Sequence, residues 1–286
     1  AAFSSACSAR NFVSNSSFPA CAASCCCVSI CSSFMRSRAR EYRFCCLSNF
    51  VKKESINRIH EEIQQKRKET YWSKDYHNPY FTKKDLTLPN NHPKNYFQKR
   101  NSGFITADKI IYNSDLLSLY ESEQLLNFVS DCLNIAPIFK WDDPLARCTY
   151  SIMDKNHYFP WHFDANDFTL SILIQKAEKG GVFEYYPNIR NHKNENYEQV
   201  TKVLKGERKG IHILDLQPGD LQIFKGRFSL HRVTQIEGIN SRCIALPTFV
   251  DDPCRINRPQ RSIDVFGRAL PLHYERESYR PDAITE

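Results

Sequence analysis

The feature that most constrains the fold of this chain is a change of sequence pattern at about Arg147. From there on, short segments that mix β-branched and aromatic residues are separated by turn signals, as is typical of strands. The segments are residues 148–153, 168–175, 182–186, 211–216, 221–224, 231–236 and 242–250. The turn signals include Lys179-Gly180-Gly181, Gln217-Pro218-Gly219-Asp220 and Gly238-Ile239-Asn240. Several strands joined by turns predict an antiparallel β-sandwich or a small barrel.

Two helices are predicted ahead of these strands. Between residues 51 and 68, Val51, Ile56, Ile59 and Ile63 recur at helical spacing among polar residues, which predicts a surface helix with a narrow apolar stripe. A second helix is predicted for residues 114–133, where the apolar residues fall on one side. Residues 71–100 are rich in Tyr, Asn, Pro, Lys and His, as is typical of an ordered loop. The predicted fold class is mainly β with an α-helical N-terminal layer.

The first 50 residues differ in composition from the rest of the chain. They contain eight of the twelve cysteines, and the first forty residues contain eleven Ser, four Arg and no acidic residue, as organellar transit peptides do. We expect residues 1–50 to be a low-complexity targeting segment and residues 51–286 to be the folded domain. A secretory signal or anchor, and translation from an upstream reading frame, stay open as alternatives. The expected location is a plastid or mitochondrion where the segment is a transit peptide, and the cytoplasm otherwise.

Charge and motif content exclude several classes of function. Outside residues 1–50 there are 34 basic and 31 acidic residues, and this near-neutral balance argues against nucleic-acid binding. The chain has no glycine-rich phosphate loop, no His-Glu-x-x-His and no Gly-x-Ser-x-Gly. No integral membrane span is expected once the N-terminal segment is removed, and the expected partner is a small-molecule substrate.

Three residues form a candidate metal site. His162 and Asp164 lie two positions apart, so in an extended strand both side chains point to the same face. A second imidazole from another strand, His231, completes the two-His-one-carboxylate set that holds Fe(II) and leaves other coordination positions free. His157, His192 and His212 are weaker candidates for the third ligand.

Two further residues are candidates for binding a co-substrate. In a hairpin that turns near Gly238, Arg242 faces Gln235, which is roughly 13 Å from His231 along the strand at about 3.3 Å per residue. A five-carbon dicarboxylate bound to iron at one end fills such a gap, and a guanidinium suits its far carboxylate. Tyr150, on the strand before the metal motif, is a candidate donor to the same co-substrate.

Four segments of the chain resemble the Fe(II)/2-oxoglutarate-dependent oxygenases, with the closest match to the branch of free-amino-acid halogenases and their hydroxylase relatives. The segments are residues 158–166, 180–190, 216–220 and 226–234. The resemblance implies a double-stranded β-helix (jelly roll), iron bound by His162, Asp164 and His231, and 2-oxoglutarate anchored by Arg242. It also implies dioxygen as the oxidant, with ascorbate as a reductant in vitro. The domain of residues 51–286 is accordingly expected to be an Fe(II)/2-oxoglutarate oxygenase domain.

One departure from that branch bears on the reaction. Its halogenating members have a small residue where this chain has Asp164, which favours oxygenation here. We expect hydroxylation of a small polar substrate such as a free amino acid or its derivative. Desaturation or oxidative cyclisation with the same cofactors, hydroxylation of a protein side chain, and a non-catalytic cupin-type binding module are the alternatives.

Residues near these motifs carry weaker expectations. Asn166, Asp167 and Arg190 are candidates for binding an amino acid because they adjoin the motifs, whereas Arg227 and Arg232 are expected to form structural salt bridges. Residues 188–208 are too polar and too long for a tight turn, so a lid over the site and a solvated excursion are both open. Five aromatic residues are expected to form an apolar shell or ordinary core, namely Trp161, Phe163, Phe168, Phe183 and Phe224.

Overall fold

The computed structural model describes residues 44–285, so the sequence predictions for residues 1–43 lie outside the described residues. Six α-helices are present in the described part. They are α1 (Lys53–Lys66), α2 (Asp115–Glu121), α3 (Glu123–Leu133), α4 (Tyr197–Leu204), α5 (Pro259–Phe266) and α6 (Pro271–Glu275). Within the same residues, no helix has the length and apolar character needed to cross a membrane.

Fourteen strands are described. They are β1 (Phe44–Leu47), β2 (Tyr71–Ser73), β3 (Tyr76–His77), β4 (Gln98–Lys99), β5 (Ser102–Ile105), β6 (Phe139–Lys140), β7 (Cys148–Met153), β8 (Phe159–His162), β9 (Phe168–Gln175), β10 (Phe183–Tyr186), β11 (His212–Leu214), β12 (Leu221–Phe224), β13 (Leu230–Val233) and β14 (Arg242–Val250). Strand β1 pairs with β12, so the folded domain begins by Phe44, ahead of the boundary predicted at residue 51.

The strands form two antiparallel sheets that enclose a common interior. The major sheet has the order β1-β12-β9-β14-β7-β5-β2, with β6 added on β14, and the minor sheet has the order β11-β10-β13-β8. Strands β3 and β4 form a separate pair. This arrangement confirms the predicted fold class, mainly β in a double-stranded β-helix with helices ahead of the strands.

The N-terminal helices cover the outer face of the major sheet. Ile59 and Ile63 of α1 are buried in one cluster with Tyr150 and Ile152 of β7. The single helix predicted for residues 114–133 is two helices, because Ser122 ends α2 and its hydroxyl accepts from the N–H of Leu125 as the N-cap of α3.

The hairpin predicted around Gly238 is wrong. Strand β13 pairs with β10 and β8 in the minor sheet, whereas β14 pairs with β7 and β9 in the major sheet. His231 therefore lies opposite His162, and Arg242 lies opposite Met153. The two residues face each other across the interior between the sheets, which is where the candidate site lies.

Candidate metal centre and cavity

The structure brings together the three residues predicted to bind metal. His162 ends β8 and lies directly opposite His231 of β13, and Asp164 follows two residues after the strand. One ligand atom from each of the three residues lies within 4.8 Å of the others. Oδ1 of Asp164 is 3.3 Å from Nε2 of His231 and 3.7 Å from Nε2 of His162.

Backbone carbonyls orient both imidazoles. Nδ1 of His162 lies 2.8 Å from the carbonyl oxygen of Pro160, and Nδ1 of His231 lies 2.8 Å from that of Ser229. A carbonyl oxygen only accepts, so Nδ1 carries the proton in both rings and the lone pair of Nε2 faces the cluster. Burial, together with the neighbouring His231, holds the pKa of His162 well below its ordinary value, so this imidazole is neutral. A neutral imidazole oriented in this way is ready to bind metal.

The carboxylate of Asp164 is held just as firmly. Its Oδ2 accepts from the hydroxyl of Thr169 at 2.5 Å. The backbone N–H of Asp164 donates to the carbonyl oxygen of Gly226 at 3.1 Å. A Cβ at Gly226 would lie 1.9 Å from Oδ2, so only glycine leaves room for the carboxylate there. Burial alone raises the pKa of Asp164, but the two histidines and the Thr169 hydroxyl lower it below its ordinary value. The group is an anion with one oxygen turned toward the imidazoles.

These donors fit Fe(II). Two imidazole nitrogens and one carboxylate oxygen on one side of a cavity are the ligand set of non-haem Fe(II) sites with open positions. The carbonyl and hydroxyl partners just described are the outer contacts that such ligands need.

A cavity extends from the three residues into the space between the sheets. Arg242 lines it and is 5% exposed, and its Nη1 has no hydrogen-bond partner among the described residues. Burial lowers the pKa of Arg242 to about 10, so the guanidinium is still charged at neutral pH. Gly181 has a φ of +64°, and a Cβ there would lie 3.2 Å from Cδ of Arg242, so this glycine leaves room for the arginine stem.

The structure corrects the prediction for Tyr150. Successive residues of β7 point to opposite faces, and Thr149, Ser151 and Met153 line the cavity. Tyr150 points into the core beneath the helices, where its hydroxyl donates to Oε2 of Glu62 at 2.7 Å. The prediction that Tyr150 contacts the co-substrate is therefore wrong, because the residue lies on the other side of the sheet.

Of the three residues predicted to bind an amino acid, one lines the cavity and two do not. Asn166 lines the cavity and donates to the hydroxyl of Thr169 at 2.8 Å. Arg190 does not line the cavity. Its guanidinium donates to the carbonyl oxygens of Arg227 and Thr285 and pairs with Glu195. Asp167 pairs with Arg255 and lies 3.6 Å from Arg227. Arg190 and Asp167 are thus structural residues in this fold.

The remaining expectations are resolved by the lining of the cavity. No residue of the segment 188–208 lines it, which does not support a lid from this segment. Phe183 and Phe224 line it, whereas Trp161, Phe163 and Phe168 do not. Arg227 pairs with Asp282, and Arg232 pairs with Glu184, so both form the salt bridges expected of them. His157, His192 and His212 lie outside the three-residue cluster.

Sequence reasoning missed several residues that line the cavity. Phe81 comes from the loop before β4, Trp141 from the loop after β6, and Asn257 and Arg261 from the segment after β14. None lies near the His-x-Asp motif in sequence, and no local pattern in the chain indicates them. Only the way these segments cross over the sheets brings them to the cavity.

The fold of this chain is similar to that of several solved structures. A 2OG-Fe(II) oxygenase-family oxidoreductase from Burkholderia pseudomallei is 14% identical, with 83% of this chain and 94% of that chain covered and a TM-score of 0.51. The α-ketoglutarate-dependent epimerase SnoN of nogalamycin biosynthesis is 8% identical, with 78% and 84% covered and a TM-score of 0.53. The carbocyclase SnoK of the same biosynthesis is 9% identical, with 78% and 85% covered and a TM-score of 0.55.

Sequence comparison gives a narrower assignment. No curated protein matches the chain significantly. A family model described as Halogenase D matches residues 32–253. The superfamily predicted from the motifs is confirmed, and this chain, with the fold of the 2OG-Fe(II) oxygenases, belongs to the halogenase D family.

Proposed function

We propose that this protein is an Fe(II)/2-oxoglutarate-dependent dioxygenase that hydroxylates a small molecule such as a free amino acid or its derivative. His162, Asp164 and His231 hold the iron, and Arg242 binds the far carboxylate of 2-oxoglutarate. The observation that carries the proposal is the convergence of two pre-oriented imidazoles and one anchored carboxylate at a cavity that also contains a buried guanidinium.

The iron with its co-substrate, when bound, supplies the oxidising power that removes hydrogen from a substrate carbon. The protein positions the reactants and excludes water. Arg242 fixes one end of 2-oxoglutarate by a charge-assisted hydrogen bond in a buried setting, where such bonds are strong. Phe183 and Phe224 lie beside the ligand histidine, with ring centroids 5.7 and 5.0 Å from that of His231, and keep this side of the centre dry.

The state of Asp164 favours oxygenation over halogenation. A halide needs a free coordination position at the metal. In this chain the carboxylate of Asp164 would take that position, and it is held there by a hydrogen bond from Thr169 and by the space that Gly226 leaves. Displacing it would break a partly buried charge-assisted hydrogen bond and leave the anion without its metal. Membership of the halogenase D family therefore does not by itself assign halogenation to this chain.

The proposal is tested by succinate release from 2-oxoglutarate with Fe(II) and ascorbate, with free amino acids as candidate substrates and mass spectrometry of the products. Gain of one oxygen identifies hydroxylation, and loss of two hydrogens identifies desaturation or cyclisation. Complete absence of Fe(II)-dependent succinate would instead favour a cupin-type binding module.

Asp164→Gly tests the choice between oxygenation and halogenation. We expect this variant to lose oxygenation by more than about 100-fold, since even partners outside the ligand set cost roughly 10- to 100-fold in metal sites. With chloride present, the same assay shows whether the vacated position accepts halide. The matched control is Asp215→Gly, which removes an exposed carboxylate and should leave turnover unchanged. Unaltered oxygenation in Asp164→Gly would show that the carboxylate is not a ligand.

A further inference from the structure

The turn formed by residues 225–229 orients two of the three proposed metal ligands. The carbonyl oxygen of Gly226 accepts from the backbone N–H of Asp164 at 3.1 Å. The carbonyl oxygen of Ser229 lies 2.8 Å from Nδ1 of His231. Outer contacts of this kind fix the direction in which a ligand atom points. A shift of the turn would therefore move one oxygen donor and one nitrogen donor together.

Arg190 contacts both chain segments that carry the proposed ligands. Its Nε donates to the carbonyl oxygen of Arg227 at 2.7 Å, and its backbone N–H lies 3.4 Å from the carbonyl oxygen of Phe228, both within the turn. Its guanidinium carbon lies 3.9 Å from the ring centroid of Phe163, which stands between the two ligands of the His-x-Asp motif. Arg190 is 1% exposed, and a cation over an aromatic ring is bound more strongly where water is excluded.

The segment 282–285 holds the two arginines from the other side. The carboxylate of Asp282 accepts from Nη1 and Nη2 of Arg227, at 2.5 and 2.8 Å. The carbonyl oxygen of Thr285 accepts from Nη1 of Arg190 at 2.8 Å. A planar guanidinium bound by two parallel hydrogen bonds is fixed in direction as well as in position. The segment therefore restrains the turn through the side chain of Arg227.

Glu195 joins this segment to Arg190. Its Oε2 accepts from Nη1 of Arg190 at 3.0 Å, and its Oε1 accepts from the backbone N–H of Thr285 at 2.6 Å. Neither Glu195 nor Asp282 is among the described residues that line the cavity. Any effect of the two carboxylates on the metal centre is therefore transmitted through the arginines.

We propose that Asp282 and Glu195 are positioning residues of the metal centre, which act through Arg227 and Arg190 on the geometry of the ligands. The inference rests on the proposed function, because it takes the two histidines and the aspartate of the cluster as the ligands. A metal site binds tightly where its donors are already held close to the geometry that the metal requires. Loosening the turn should therefore weaken metal binding in a protein that is still folded.

The test is Asp282→Asn in the full chain, with Asp282→Glu as the conservative variant. Co(II) is the probe, because its visible absorption reports the geometry of its ligands, and it is titrated without co-substrate or oxygen. We expect Asp282→Asn to weaken Co(II) binding by about tenfold or more and to alter the spectrum of the bound ion, as changes to outer contacts do. Asp282→Glu should restore part of the affinity.

Glu195→Gln is the milder second variant, since it keeps the size of the side chain and removes only its charge. We expect Co(II) binding to weaken by at least about threefold, because one charge-assisted hydrogen bond becomes a neutral one. Circular dichroism and thermal unfolding of the metal-free variants establish that folded proteins are compared. If Asp282→Asn does not fold, the same readings on Glu195→Gln decide the inference.

The matched control is Asp108→Asn. It breaks another ion pair between an arginine and an aspartate, Arg268 with Asp108 at 2.7 Å, at a position outside the cavity. Co(II) affinity and spectrum should be unchanged in this control. Unchanged affinity and spectrum in Asp282→Asn, or an equal loss in Asp108→Asn, would overturn the inference. Failure of the proposed function is distinguishable, since the unmodified protein would then bind neither Co(II) nor Fe(II).

Discussion

Adjacent residues of β7 show how differently the two faces of the major sheet treat polar groups. On the outer face, the hydroxyl of Tyr150 donates to Glu62, whose other oxygen accepts from the N–H of Ile111 at 2.7 Å. On the inner face, the hydroxyl of Ser151 and Nη1 of Arg242 are buried and have no partner among the described residues. Buried polar groups in native proteins are nearly always paired, so the unpaired ones indicate where a ligand or water belongs.

This difference distinguishes polar residues that stabilise the fold from polar residues that are available to bind a ligand, within one sheet. Gln222 follows the same rule, because neither atom of its buried side-chain amide has a partner, while its neighbours Leu221 and Ile223 lie in the outer core. Polar residues of the outer face are thus expected to contribute to stability alone, and those of the inner face to ligand binding. The following substitutions test that division, from the largest expected effect to the smallest.

His231→Ala removes an interior ligand and should have the largest effect on activity. We expect iron binding and Fe(II)-dependent succinate release to fall by more than about 100-fold with the fold retained. Bound iron after dialysis, succinate release and circular dichroism measure these quantities. His212→Ala, which alters an exposed histidine of β11, is the control and should keep full turnover. Retained iron binding in His231→Ala would remove this residue from the ligand set.

Arg242→Met removes the buried guanidinium. The concentration of 2-oxoglutarate for half-maximal turnover should rise roughly 10- to 100-fold, because a charge-assisted hydrogen bond is lost. The ligand-free protein should at the same time become more stable by about 1–3 kcal/mol, since a buried group without a partner is replaced by an apolar one. Urea unfolding with and without 2-oxoglutarate measures both effects. A less stable ligand-free variant would mean that Arg242 is a structural residue.

Tyr150→Phe and Ser151→Ala compare the two faces directly. Tyr150→Phe leaves Glu62 without its donor and should cost about 1–3 kcal/mol of unfolding free energy, with kcat/KM unchanged. Ser151→Ala removes a hydroxyl that has no protein partner, so stability should change by less than about 0.5 kcal/mol while the affinity for 2-oxoglutarate falls. The reverse pattern would contradict the division between the faces.

Alkaline unfolding gives the smallest effect. Burial, and then the negative charge of Glu62, raise the pKa of Tyr150 above its ordinary value of 10.0. Above pH 10 the unfolded chain therefore releases this proton while the folded protein retains it, and stability falls as the pH rises. Tyr150→Phe should reduce that loss by about 1 kcal/mol between pH 10 and 11, and the difference in slope approaches about 1.4 kcal/mol per pH unit at higher pH. Identical slopes for the two proteins between pH 10 and 11 would show that the tyrosine is ionised in the folded state.

The sequence determined the fold class and the residues that meet at the candidate metal centre. The alternation of β segments and turns predicted an antiparallel β-sandwich or a small barrel, and the His-x-Asp spacing placed His162 and Asp164 on one side of a strand end, because side-chain direction along a strand is a local property. Whether these residues bind iron is still a prediction that metal analysis tests.

Tertiary structure decided which strands pair and which face of each strand is functional. Local pattern made Tyr150 a candidate for the co-substrate site, and only the packing of α1 against one face of β7 placed Tyr150 in the core. The proximity of β13 and β14 in sequence predicted a hairpin, but the two strands belong to opposite sheets. Arg261 and Phe81 come from segments far apart in the chain, and the cavity wall they share exists only once the sheets have closed, because contacts between distant segments depend on the whole topology and not on local spacing.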